Sequence, residues 1–247
     1  MTDNAPSTLA ESIAAAQAWW REAGVDLSFH DEPQAWLADE TPRMEPGAAA
    51  DAPAPPPEPR IGGDPSAWPQ DLGAFRRWWI EEPSLDEGGM APRIAPRGET
   101  GAVLMILVPM PEAGDRDTLL SGPEGRLLAS FAAAAGLEAA QVSVAAALPR
   151  RTPVPDWERL RGEGLGEILL HHLRLAAPQR LMVLGTRILP LLGHDPAQAS
   201  PGVSELTIQG RPVSLLASYA PERLLGNARQ RAALWRAWLD WTDEGSA

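Results

Sequence analysis

Two kinds of hydrophobic pattern divide the chain. From Gly101 onward, short unbroken apolar runs alternate with amphipathic stretches. AVLMILV (102–108), QVSVAAAL (141–148) and RLMVLG (180–185) are the clearest, with further apolar stretches around Leu206 and from Val213 to Ala217. Runs that are apolar at every position belong to strands buried on both faces, which predicts a parallel sheet covered by helices. Between them the helical period appears in a stretch opening at Ser121 and closing at Gly136, in another from about Asp156 to Leu175, in a short one ending near Gly193, and in a last one reaching about Trp241. The expected fold class is therefore α/β, a three-layer α/β/α sandwich around a central, mainly parallel sheet. Before Gly101 the pattern is sparser. Thr8 and Glu11 form a capping box ahead of Leu9, Ile13, Ala16 and Trp20, which recur at helical spacing until Gly24. A second helix is predicted over Asp71–Glu81, where Leu72, Phe75, Trp78 and Trp79 make one apolar stripe.

Composition sharpens the boundaries. The segment EPGAAADAPAPPPEPR is too rich in proline to bury a core and reads as an extended linker. The expected organisation is an acidic arm with a short helix over 1–45, a linker over 46–63 and one domain over 64–247. Residues 1–100 hold 7 Arg against 18 Asp and Glu, a balance of −11, whereas residues 101–247 hold 14 Arg against 15 acids, or −1. The acidity is a property of the N-terminal part, and such an arm suits a basic protein partner. There is no cysteine, which excludes thiolate-held metals and clusters, so no cofactor is expected. The longest apolar run falls far short of the roughly 20 residues a membrane helix needs, and no basic stretch followed by an apolar one opens the chain. The expectation is a cytoplasmic protein without a membrane partner.

Five segments resemble, in order, the uracil-DNA glycosylase superfamily, and within it the iron–sulfur class usually called family 4. They are the lead-in from Asp71, where that class carries cluster cysteines, LMILVPMPEAGDRD (104–117), LLSGPEGRLLASFAAAAGL (119–137), RLMVLGTRILPLLG (180–193) and SYAPERLLGNARQRAALWRAWL (218–239). The resemblance implies a site that extrudes and cleaves a damaged base, but the chemistry that family uses is missing. Its water-positioning loop falls on 108–112, where Pro109 and Pro111 replace flexible backbone, followed by Glu112, Asp115 and Asp117. Its stacking phenylalanine falls on Leu120, its base-reading asparagine on Ala145 or Ala146, and its catalytic histidine on Ala220. Loss of one such anion-stabilising donor alone forfeits on the order of 3 kcal/mol.

What the resemblance leaves is a scaffold and part of a nucleic-acid surface. Arg150 and Arg151, with Arg159 and Arg161, fall where the family meets phosphates, or else they are surface charges balancing Glu158 and Glu163. Ser218, Tyr219, Pro221, Arg223, Leu224 and Leu225 fall in the segment the family presses into DNA, or else the two leucines cap the core. Three readings follow. The first is a catalytically degenerate accessory in DNA repair, associated with single-stranded or damaged DNA. The second is an active glycosylase in which Glu112 or Asp115 positions the water, although carboxylates in such a loop are usually solvated. The third is a protein-interaction module. The geometric criterion between them is an open pocket beneath Tyr219 and Pro111, against one filled by Leu120 and Met110. The tryptophans 235, 238 and 241 are expected to pack, and His171–His172 is too splayed for a metal pair.

Overall fold

A computed structural model of the chain describes residues 8–24 and 60–244. They fall into two units, 1–55 and 56–247. In the first, helix α1 (Leu9–Glu22) is exposed along its length, and the capping box forms: Thr8 Oγ1 accepts from the Glu11 N–H at 3.4 Å and Glu11 accepts from the Thr8 N–H at 2.8 Å. The segments 25–45 and 46–59, the rest of the predicted arm and most of the predicted linker, lie outside the described residues.

The second unit is the expected α/β sandwich. Strands β1 (Leu104–Val108), β2 (Val142–Ala146), β3 (Arg180–Leu184), β4 (Gly202–Ile208) and β5 (Arg211–Ser218) form one sheet in the order β2-β1-β3-β5-β4. β1, β2, β3 and β5 run parallel, with Ile106 opposite Val144 on one side and Met182 on the other, while edge strand β4 is antiparallel to β5. The two faces explain the unbroken apolar runs. Met105, Leu107, Leu181, Val183 and Leu215 point to one side and pack with α2 (Leu72–Glu81) and α5 (Leu165–Ala176). Leu104, Ile106, Val108, Met182 and Leu216 point to the other and pack with α3 (Pro123–Ala134), α6 (Pro221–Gly226) and α7 (Ala228–Glu244). Trp238 and Trp241 are buried in this second face, and Trp235 packs edge-on to Phe131, so the aromatic stripe of α7 is core.

Three local departures from the sequence expectations have plain causes. The single helix predicted over 156–175 is broken at Glu163–Gly164 into α4 (Trp157–Gly162) and α5, because Gly164 takes φ +97°. The last helix divides at Asn227, whose side chain leaves α6 and caps α7 through the N–H groups of Arg229 and Gln230. The apolar stretches near 206 and 213 are two arms of a hairpin, closed by Gln209 and Gly210 at φ +49° and +82°, the paired left-handed conformation that tight hairpins require. The lead-in before β1 also has a job. Arg97 exchanges two backbone hydrogen bonds with Val144 at 2.8 and 2.9 Å, which covers the free edge of β2. Among the described residues no helix is long and apolar enough to cross a membrane.

Candidate binding cleft at the carboxyl edge of the sheet

The chain leaves β1 towards β2 on one side and later crosses to β3 on the other, so the carboxyl ends of β1 and β3 flank the point where the winding reverses. Crevices at such points hold ligands in open α/β sheets. Here the crevice is a cleft of about 630 Å³, within the range of roughly 300–1,000 Å³ common for small-molecule sites. Pro109 and Met110 after β1, Arg151 to Pro155 and Trp157 after β2, Gly185 to Arg187 after β3 and Tyr219 to Arg223 after β5 line it, with Glu124 from α3. Its floor is tied together by backbone bonds from Ala147 N–H to the Val108 carbonyl, Leu148 N–H to Pro109 and Gly185 N–H to Ser218. Gly185 must be glycine: it sits at φ +130°, and a Cβ there would lie 2.7 Å from Pro109 Cγ. A second cleft of about 640 Å³ adjoins it, sharing Val154, Pro155, Trp157, Thr186 and Arg187.

The positions matched to the family's catalytic groups scatter. Ala220 lines the cleft as the N-cap of α6, with only a methyl group to offer. Ala146 and Leu120 are buried in the core and do not line the cleft, so neither reaches a ligand there. Met110 is part of the wall without filling the space, and Pro111 is buried. The cleft beside Tyr219 is open, but Pro111 does not line it.

Glu112 and Asp115 are 6% and 2% exposed, which corrects the expectation of solvated carboxylates; only Asp117 of the three is exposed. Their burial is compensated by backbone donors. Asp115 Oδ2 accepts from the N–H groups of Glu112 and Leu120 at 2.9 and 2.8 Å, and Oδ1 from the N–H and hydroxyl of Ser121, both at 2.8 Å. This holds Leu120 at φ +55°. Glu112 Oε1 accepts from the Glu124 N–H at 2.8 Å, and Oε2 from Gly122 and Gly125 at 2.9 and 3.3 Å. Glu112 therefore caps α3 from ten residues before its N-cap, Gly122. Both carboxylates hold a loop, and their oxygens are taken.

The two neighbouring arginines after β2 have different fates. Arg150 is committed inside the protein: its Nε donates to Asp86 at 2.8 Å and its Nη1 to the carbonyls of Gly89 and Ala91 at 2.7 and 2.9 Å. Arg93 donates to the same Asp86 oxygen. Burial alone would raise the Asp86 carboxyl, but hydrogen bonds from Arg93 and Arg150 outweigh it and hold it below its ordinary value. Arg150 is thus a strut and not the phosphate contact expected. Arg151 is exposed and lines the cleft. Arg159 pairs with Glu163, one of the two acids of the charge-balancing alternative, and with Glu87 instead of Glu158, and Arg161 lines the adjoining cleft. In the 218–225 segment Ser218 is buried in β5, Pro221 starts α6, and Leu224 is wholly buried and cannot act as a wedge, whereas Leu225 is exposed on α6. Arg223 is exposed, its guanidinium 4.8 Å above the Tyr219 ring.

Among the lining residues that carried no signal strong enough to single them out are Trp157, Thr186, Arg187, Glu222 and Glu124. Glu124 is the most perturbed. Partial burial, then the neighbouring charges of Glu112 and Glu222, raise its carboxyl to about 7 against the opposing pull of Arg151. The histidines stand elsewhere. His171 Nε2 lies 2.7 Å from the Pro69 carbonyl, and His172 is buried and stacked on Phe75 with ring centroids 4.5 Å apart. Comparison of the chain with protein-family models and with curated proteins returned no match.

Proposed function

We propose that this is a uracil-DNA glycosylase-like protein without the family's catalytic groups, which serves as an accessory in DNA repair by holding a nucleic-acid strand in the carboxyl-edge cleft. The observation that carries this reading is the lining of that cleft. Three exposed arginines, Arg151, Arg187 and Arg223, stand beside two aromatic rings, Tyr219 and Trp157, which is the combination of cationic groups and stacking platforms that single strands use. The position matched to the catalytic histidine holds Ala220, and among the described residues no asparagine or histidine lines the cleft. Glu112 and Asp115 spend their oxygens on the backbone, which counts against the active-enzyme reading that assigns them the water. With the rest of the chain acidic, binding is expected to be modest and to depend strongly on salt.

The test uses the full chain and a fluorescently labelled single-stranded oligonucleotide, titrated at 50 and 200 mM salt. Binding should weaken as salt rises, and R151A, R187A and R223A should each weaken it for every sequence and lower the salt slope by about 1. Absence of binding at 50 mM salt, or wild-type binding by all three variants, overturns the proposal. Uracil release from a uracil-containing strand should stay at the level of a buffer control. Release well above that level would overturn the loss of catalysis.

A further inference from the structure

Glu124 lines the cleft from the first turn of α3, half-buried and beside the buried Glu112, and its surroundings say what a change in its charge would do. Its own N–H is given to Glu112 Oε1 at 2.8 Å, so the two residues are adjacent, and Glu112 accepts two further backbone donors and is nearly out of water. The charged groups acting on Glu124 are Glu112 and Asp115 from the loop after β1, Arg151 from the segment after β2, and Glu222 from α6. Glu138 lies beyond the far end of α3. With Glu124 ionised, the lining has three cations against two anions; with Glu124 protonated, it has three against one and gains a neutral hydrogen-bond donor.

We infer that Glu124 is the proton-switched recognition group of the cleft: as the acid it donates a hydrogen bond to a phosphate or carbonyl oxygen of the bound strand, and as the carboxylate it repels it. Binding therefore takes up one proton, which balances the step with no other reactant. The inference rests on the reading of the cleft as a nucleic-acid site, and deepens it by naming an acceptor oxygen of the strand where it meets α3. Burial and the fixed charge of Glu112 place the carboxyl near 7, so the switch lies in the neutral range. Among the described residues no histidine lines the cleft to produce the same dependence.

The experiment measures the dissociation constant of the same labelled oligonucleotide at pH 6 and pH 8, at constant ionic strength, for the full-length wild type, E124Q and E124A. If only the acid form binds, the wild type should bind about tenfold more weakly at pH 8, because the competent fraction falls to about a tenth. E124Q keeps a neutral donor and should bind at both pH values as the wild type does at pH 6. E124A, without the donor, should be weaker at both. Binding of wild type and E124Q with the same pH dependence, or failure of E124Q to bind where the wild type does at pH 6, overturns the inference and leaves the cleft reading standing. Absence of binding by all three at both pH values overturns both.

Discussion

His172 makes a sharp prediction about acid stability. Its imidazole is stacked on Phe75 at an interplanar angle of 14° and is 4% exposed. Burial first, then the positive charge of Arg76 and the neighbouring His171, lowers it from 6.5 to about 3. The sign follows from proton binding. Between those values the unfolded chain takes up a proton that the folded protein refuses, so stability is intact above 6.5 and is lost as pH falls towards 3. The loss approaches 1.4 kcal/mol per pH unit, or about 2 kcal/mol at pH 5. Glu124 acts in the opposite direction over part of this range, so the total stability is a poor readout. The informative quantity is the difference between wild type and H172L, in which Glu124 cancels. Urea denaturation at pH 7.5 and pH 5 supplies it. Whatever H172L costs at pH 7.5 through altered packing, its disadvantage should shrink by about 2 kcal/mol at pH 5. Parallel losses in the two proteins would show that His172 accepts a proton in the folded state and refute the argument.

Other consequences are equally direct. E112A removes the acceptor for three N–H groups at the start of α3 and should cost about 2–4 kcal/mol in urea unfolding, with E112Q recovering part of it. R150A and R151A should separate cleanly. R150A, which strips Asp86 of one of two buried partners, should lose about 2–3 kcal/mol of stability, while R151A should unfold like the wild type and lose oligonucleotide affinity instead. For E124Q the stability effect has the opposite sign to that of His172. A carboxyl raised from 4.5 to about 7 stabilises the fold below 4.5 and loses that contribution as pH rises through 7. The variant should therefore be more stable than the wild type at pH 8, by about 1 kcal/mol once solvent screening of a half-exposed group is allowed for, and the gap should close by pH 4.

The amino-acid sequence on its own determined the sandwich. Runs such as LMILV and RLMVL are apolar at every position because both faces of their strands are covered, and that constraint is written residue by residue. Local capping was equally legible, since Thr8 and Glu11 or Asp71 and Ala74 meet within one turn. Tertiary structure decided what depends on partners far along the chain. Arg150 and Arg151 are indistinguishable as letters, yet one is consumed by Asp86, 64 residues away, and the other faces the cleft. Ser121 stands where a helix cap would be read, but the cap comes from Glu112, and that arrangement in turn places a carboxylate beside Glu124 and raises its affinity for a proton. Periodicity reports which face of an element is buried. It carries no record of which distant group lies alongside, and in this protein such groups take Arg150 away from the cleft, while burial and the like charges of Glu112 and Glu222 raise the Glu124 carboxyl.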